Sequence, residues 1–370
     1  MTSRFASSMR RATSAVRAYN TIGATRIIQE ALNRNSASVL DRWLKQQPAP
    51  TAKVPSEPPQ PVLAPLAPLP GNKSERPVQE QGTFVTRSFT CSAGARRFKL
   101  FVPNHGTEAP RGLIVMLHGC TQNPDDFAAG TRMNEIAERN GLIVAYPEQT
   151  RAYNASSCWS WFQTRDQHRD KGEPAIIAGL TRQVIDEFGL DRHQVFIVGL
   201  SAGGAMAVIM AETYPDVFSA VGVHSGLPYQ SATNVMSALA AMRGRVSHKV
   251  AIAKTYQSAL PDVRTIIFHG SADKTVHPDN AKGIVGHSQD AQGRGEAHTE
   301  HGIANGRQFT RMVITAPDGQ VILENWTIDG AGHAWSGGNP AGSFADPLGP
   351  DASSEMVRFF LYTPTQVGSQ

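Results

Sequence analysis

No stretch of the 370-residue chain approaches the roughly 18 consecutive apolar residues of a membrane-spanning helix. The opening "MTSRFASSMRRATSAVRAYNTIGATRII" lacks the apolar centre, about 7–15 residues long, that a secretory signal carries. Three cysteines, Cys91, Cys120 and Cys158, are too few and too scattered for a disulfide-built fold or a zinc site, so no metal is expected. Charged residues make up only 18% of the chain and the net charge is +4. Much of that excess sits in the first fifty residues, where Arg4, Arg10, Arg11, Arg17, Arg26, Arg34, Arg42 and Lys45 face only Glu30 and Asp41. From about residue 84 onward the two signs are close to balance, which excludes a basic field suited to nucleic acid. No internal repeat is visible.

What is present is globular: 40% of the residues are apolar, ample for a core. Residues 1–46 are rich in Arg, Ser and Ala, and Ile22, Ile27, Ile28, Leu32, Val39, Leu40 and Leu44 fall in a loosely helical pattern. They read as a basic extension of weak helices, packed on the body or frayed in solvent, or as a docking element for a surface or polymer granule. Residues 47–80 begin with "QPAPTAKVPSEPPQPVLAPLAPLPGN", too Pro-rich for a packed core, and form a linker. Residues 81–365 form the catalytic body.

That body opens with two short strands, "GTFVTRSFT" and "RRFKLFVPN", joined by a turn around "CSAGA". The runs "GLIVMLHG", "GLIVAYPE", "QVFIVGL", "SAVGVHSG" and "RTIIFHGSAD" read as buried strands, with helical stretches at 131–140, 173–189, 202–214 and 248–258. Near-continuous apolar strands alternating with helices predict an α/β fold whose mostly parallel sheet is covered on both faces. "FTRMVITAPDGQVILENWTI" reads as a late hairpin turning at Pro317-Asp318-Gly319. "DASSEMVRFFLY" reads as a last helix capped by Asp351 or Ser353.

Between a buried strand and a helix stands Gly199-Leu200-Ser201-Ala202-Gly203, the G-x-S-x-G nucleophile elbow of the α/β-hydrolases. In such a turn a Cβ at Gly199 or Gly203 would strike a neighbouring strand or helix. The serine hydroxyl projects above the sheet, and the helix dipole favours negative charge there. Its partners follow in the order acid, then histidine. Asp273 lies just past the end of "RTIIFHG", and His333 lies in the Gly-rich "DGAGHAWSGG". Asp279 and Asp262 are rivals for the acid, and His277, His298 and His301 for the base. His298 and His301 read as solvated loop residues, without a neighbouring set of metal ligands. An oxyanion hole needs two amides, assigned to Ala202 and, in the loop after the first apolar strand, Cys120. His118 in that loop is read as propping the backbone, a direct catalytic role being the alternative. Cys158 sits in "SSCWSWF", whose loop should rise at the same sheet edge as Cys120, so the two are either a disulfide or two buried thiols. Trp159, Trp161 and Trp335 are candidates for lining an acyl or alcohol pocket, with burial in the core as the alternative.

The segments "LHGCTQ", "CWSWF", "GEPAIIAGLTRQV", "VGLSAGGAMA", "HGSADKTV" and "GAGHAWSGG", in this order over roughly residues 84–362, resemble the esterase family of polyhydroxybutyrate depolymerases, with feruloyl and acetylxylan esterases as relatives. The resemblance implies an α/β-hydrolase fold, a serine carboxylic-ester hydrolase without a cofactor, and a triad of Ser201, Asp273 and His333. It implies short-chain hydroxyalkanoate esters or oligomers as substrates, plant polysaccharide esters being the alternative. A non-catalytic binding protein on a hydrolase scaffold is the reading from another class, and the complete triad argues against it. The resemblance also implies the extracellular region, while the opening residues leave the cytoplasm as the alternative.

Overall fold

The computed structural model describes residues 82–104, 108–245, 263–292 and 295–361. The expected N-terminal helices, the linker, the helix at 248–258 and the rival Asp262 lie outside the described residues. The chain divides into two units, Met1–Glu80 and Gln81–Gln370, and the second carries the architecture below.

The opening hairpin pairs β1 (Thr83–Cys91) with β2 (Gly94–Val102). Then follow β3 (Gly112–Leu117), α1 (Pro124–Thr131), α2 (Met133–Asn140), β4 (Leu142–Pro147), α3 (Gly172–Phe188), β5 (Val195–Leu200) and α4 (Ala202–Thr213). The second half contains β6 (Ala220–His224), α5 (Val235–Met242), β7 (Arg264–Gly270), α6 (Asp279–Gln292), β8 (Glu296–Ala304), β9 (Arg307–Thr315) and β10 (Val321–Ile328). A two-residue ladder, β11 (Trp335–Ser336) with β12 (Ala345–Asp346), precedes α7 (Ala352–Leu361).

Ten strands form one sheet in the order β1-β2-β4-β3-β5-β6-β7-β10-β9-β8. The run from β4 to β10 is parallel, and antiparallel strands flank it on both sides. Every residue of β3 to β7 is buried, because helices cover both faces. Alternate residues separate into two cores. Leu113, Val115 and Leu117 of β3 pack towards α3, α4, α5 and α6. Ile114 and Met116 pack towards α1, α2 and α7. This is the period-2 alternation of a strand turned into two hydrophobic layers.

The last helix is capped by Asp351, whose Oδ1 accepts the Ser354 N–H at 3.0 Å. Ser353, the other candidate cap, is instead buried and donates to the Thr131 carbonyl at 2.6 Å. Three helices lie beyond those predicted: α1, and α5 and α6 on the sheet face that carries α4. The loops that leave β3, β5, β6, β7 and β10 all emerge at the carboxyl edge of the parallel strands, the place where such sheets gather their chemistry.

Candidate active site

Ser201 occupies the single-residue turn between β5 and α4, with φ 58° and ψ −118°. Positive φ is costly for a serine, and three neighbours enforce it. A Cβ on Gly199 would lie 2.1 Å from the Gly203 carbonyl oxygen, and one on Gly203 would lie 2.0 Å from that of Leu117. The Ser201 N–H donates to the His224 carbonyl at 2.9 Å. Beyond the turn α4 is apolar and buried from Ala202 to Ala211, so packing holds the helix where its N-terminus faces the serine.

Asp273 and His333 come from two different loops and meet. His333 Nδ1–H donates to Asp273 Oδ2 at 2.7 Å, while Asp273 Oδ1 accepts the N–H groups of Thr275 at 2.8 Å and Val276 at 2.9 Å. His269 Nε2–H points at the Val276 carbonyl at 2.9 Å and lies 3.5 Å from Asp273 Oδ2. Burial by itself would raise the Asp273 pKa; the hydrogen bonds from His269, His333 and Val276 overcome that and hold the carboxyl well below the usual range. The two loops are laced together: the Ala272 N–H donates to the Ala331 carbonyl at 3.0 Å, and a Cβ on Gly270 would sit 2.3 Å from the same oxygen. With Nδ1 committed to Asp273, His333 keeps Nε2 free to accept a proton, and its side chain is 11% exposed. Ser201 Oγ and His333 make no hydrogen bond to each other; such contacts often close only with substrate in place.

The rivals lie elsewhere. Asp279 pairs with Lys282 at 2.7 Å and His277 at 3.3 Å on the surface. His298 and His301 require a correction: they stand on β8, an exposed edge strand, where the sequence reading placed a loop. A strand with no neighbour on one side and few buried side chains has a polar sequence, and this hid it.

The loop after β3 is held at almost every residue. The Gly119 N–H donates to Gln122 Oε1 at 2.9 Å, the Thr121 N–H to the Ser156 carbonyl at 2.8 Å and the Gln122 N–H to the Gly119 carbonyl at 3.3 Å. Among the described residues the intervening amide of Cys120 has no acceptor. The Ala202 amide, first in its helix, has none within the helix. Cys120 and Cys158 are joined as a disulfide across 38 positions, and Cys91 is free. His118 is buried and acts on the backbone: Nδ1–H donates to the Gly119 carbonyl at 2.7 Å and Nε2 accepts the Gln149 N–H at 3.0 Å. Burial lowers its pKa to about 4, so the ring stays neutral.

Of the two readings of Trp159, Trp161 and Trp335, lining a substrate pocket or burial in the core, the burial of all three favours the core. Trp159 is 0% exposed and Trp335 1%, and Trp161 is also buried. Their polar ends are used internally, since Trp159 donates to the His118 carbonyl and Trp335 to Ser353 Oγ, both at 3.0 Å. Large rings beside the candidate catalytic loops are here the packing that supports those loops.

Sequence reasoning missed three supports. His224 ends β6 with Nδ1 near Ser225 Oγ at 3.1 Å and Nε2 accepting the Ser336 N–H at 3.0 Å, and it stacks on Trp335 at 5.1 Å between ring centres. Burial, reinforced by His269 and His333, lowers its pKa to about 3. Gln122 joins three segments, and Glu173, at the start of α3, accepts from Ser160 N–H at 2.7 Å and from Gln149. Burial first, then the Asp166 carboxylate, pushes Glu173 up to about 7 against its donors. Gln122 and Glu173 stand inside "LHGCTQ" and "GEPAI", and His224 closes an otherwise apolar strand, which were the available signals. Among the described residues no helix is long and apolar enough to cross a membrane, and no cluster of three or more His, Cys, Asp or Glu could hold a metal.

Comparison with known proteins gives a consistent result. The family described as Esterase PHB depolymerase matches residues 97–300. The chain is 32% identical over 257 residues to poly(3-hydroxyalkanoate) depolymerase C of Paucimonas lemoignei, covering 68% of this chain and 61% of that one. It is 28% identical over 223 residues to a protein named probable acetylxylan esterase A in Aspergillus fumigatus, covering 57% and 59%. It therefore spans about three-fifths of the length of these curated relatives. An acetyl xylan esterase structure from Aspergillus awamori superposes with a TM-score of 0.56 at 21% identity, over 75% of this chain and 98% of that one. The fold is that of the α/β-hydrolases.

Proposed function

Since the chain belongs to the esterase family of polyhydroxybutyrate depolymerases, we propose that it is a serine carboxylic-ester hydrolase acting through Ser201, His333 and Asp273. The observation that carries this reading is the 2.7 Å hydrogen bond by which Asp273 orients His333 at the sheet edge where Ser201 stands on its strained turn. His333 Nε2 takes the Ser201 proton as Oγ bonds to the ester carbonyl carbon. The tetrahedral oxyanion rests on the amides of Cys120 and Ala202, neither of which is engaged in its own loop or helix. Collapse breaks the bond to the leaving oxygen, which receives the proton from His333. Water then repeats these roles on the acyl-enzyme and frees the acid. Asp273, held ionised, fixes the ring's tautomer and stabilises the imidazolium.

The acyl group we propose is a short-chain 3-hydroxyalkanoate, following the longer and more identical match to the depolymerase. The disulfide between Cys120 and Cys158 supports an extracellular location, where such bonds persist. The test is a panel of soluble esters under one set of conditions: 3-hydroxybutyrate oligomers, acetylated xylo-oligosaccharides and methyl ferulate. The reading predicts highest kcat/KM on the hydroxybutyrate oligomers and loss of all turnover in Ser201→Ala. Preference for the acetylated xylo-oligosaccharides or for methyl ferulate would move the substrate to the plant polysaccharide class. Hydrolysis of none would overturn the enzymatic reading.

A further inference from the structure

Phe344 is out of place by ordinary packing rules. It is 44% exposed, it is not glycine yet has φ 51°, and its ring stands edge-on to His333 with centres 6.4 Å apart and planes at 78°. A bulky residue with positive φ is strained, and an exposed Phe leaves apolar surface in water. The position is nonetheless enforced from both sides. On one side the Phe344 carbonyl accepts the Trp335 N–H at 2.7 Å, where β11 and β12 pair. On the other, the Ser343 N–H donates to Asp126 Oδ1 at 2.8 Å, and its carbonyl accepts from Gln122 Nε2 at 3.0 Å. Gly342 packs so closely on α1 that a Cβ there would lie 2.4 Å from the Gly130 nitrogen. Through Gln122 the same loop is tied to Gly119 of the candidate oxyanion loop.

We infer that Phe344 is a specificity residue that contacts the alcohol portion of the ester. This rests on the proposed role of His333. With Nδ1 held by Asp273, the proton for the leaving oxygen comes from Nε2 at the free edge of the His333 ring, so the departing alcohol passes beside that ring. Among the described residues Phe344 is an exposed apolar group adjoining it. Backbone strain maintained by anchors on both sides of a solvent-facing ring is expected where a side chain must meet a ligand. The class of ester it favours carries an apolar or aromatic group next to the ester oxygen on the alcohol side.

The test holds the acyl group constant and varies the alcohol: kcat/KM for benzyl acetate is divided by that for ethyl acetate in the wild type and in Phe344→Ala, Phe344→Gly and Phe344→Tyr. Glycine suits the positive φ, which guards against a variant that fails to fold. A fluorophosphonate adduct on Ser201 is confirmed in each protein first. The inference predicts a benzyl-to-ethyl ratio about 10-fold lower in the Ala and Gly variants and retained in the Tyr variant. An unchanged ratio in both Ala and Gly variants overturns it. A wild-type protein that forms no adduct on Ser201 overturns instead the reading on which it rests.

Discussion

Trp159 donates its indole N–H to the carbonyl oxygen of His118 at 3.0 Å, at the start of the loop proposed to hold the oxyanion. The preceding residue, Cys158, is bonded to Cys120 within that loop. Two adjacent residues of one segment thus fix the loop by a hydrogen bond and a covalent bond.

The bridge leads to a first prediction. Peptide mapping of unreduced protein should find Cys120 linked to Cys158 and Cys91 alkylatable. Closing 38 positions should stabilise the fold by about 3–4 kcal/mol in the chain-entropy treatment. Reduction should lower kcat more than it raises KM, because the loop acts on the oxyanion and not on the bound ester. Two freely alkylated thiols in a fully active protein would remove the bridge from the account.

The parts of this arrangement legible in sequence were those fixed by local sterics. The elbow could be read because Gly199 and Gly203 admit no Cβ, a requirement met within five residues. Asp273 and His333 could be read because each follows a strand end. The disulfide stayed open, since adjacency of the two loops follows from the order of β3, β4 and β5 and not from spacing. The three tryptophans left both readings open because a ring near a candidate catalytic loop reads the same whether it faces substrate or core. Helix α5 did carry a signal, the reciprocal capping of Asn234 and Ser237. Phe344 carried none, because the anchors that hold its turn include the bonds of its neighbour Ser343 to Asp126 and Gln122, more than two hundred positions away.

A second prediction concerns pH and stability. The His118 and His224 pKa values are lowered from 6.5 to about 4 and about 3. As pH falls below 6.5 the unfolded chain gains protons that the folded rings refuse, and stability drops by about 1.4 kcal/mol per pH unit for each ring. Glu173 acts with the opposite sign. Raised from 4.5 to about 7, it holds in the folded state a proton that the unfolded chain has released, so its contribution falls as pH rises through that window. From pH 6.5 down to 4.5 these three groups together should cost about 1.4 kcal/mol per unit, and Glu173→Gln should about double that slope. Denaturant midpoints across the window would measure it, and a shallower slope in the variant would contradict the assignment.

A third prediction separates the acid from its rival. Asp273→Asn should stay folded and lose on the order of 10⁴ in kcat, since His333 would be held in the wrong tautomer. Asp279→Asn, on an exposed surface pair, should change kcat by less than about twofold. Reversal of the two effects would reassign the acid.

A fourth prediction addresses residues 1–80. A chain starting at Gln81, the boundary between the two units, should hydrolyse a soluble ester at the full-length rate. If residues 1–46 dock to an anionic surface, only the full-length protein should bind polyester granules, with an affinity that falls as salt rises. Lost turnover of the soluble ester would show the first unit to be part of the catalytic body.

Ser201 is the proposed nucleophile. The most direct measurement is the site of a fluorophosphonate adduct, located by mass spectrometry in native protein and in Ser201→Ala. The expected result is a single adduct on Ser201 in the native protein and none in the variant, whose ester turnover is also lost. An adduct on a different serine, with Ser201→Ala still turning over ester, would contradict it.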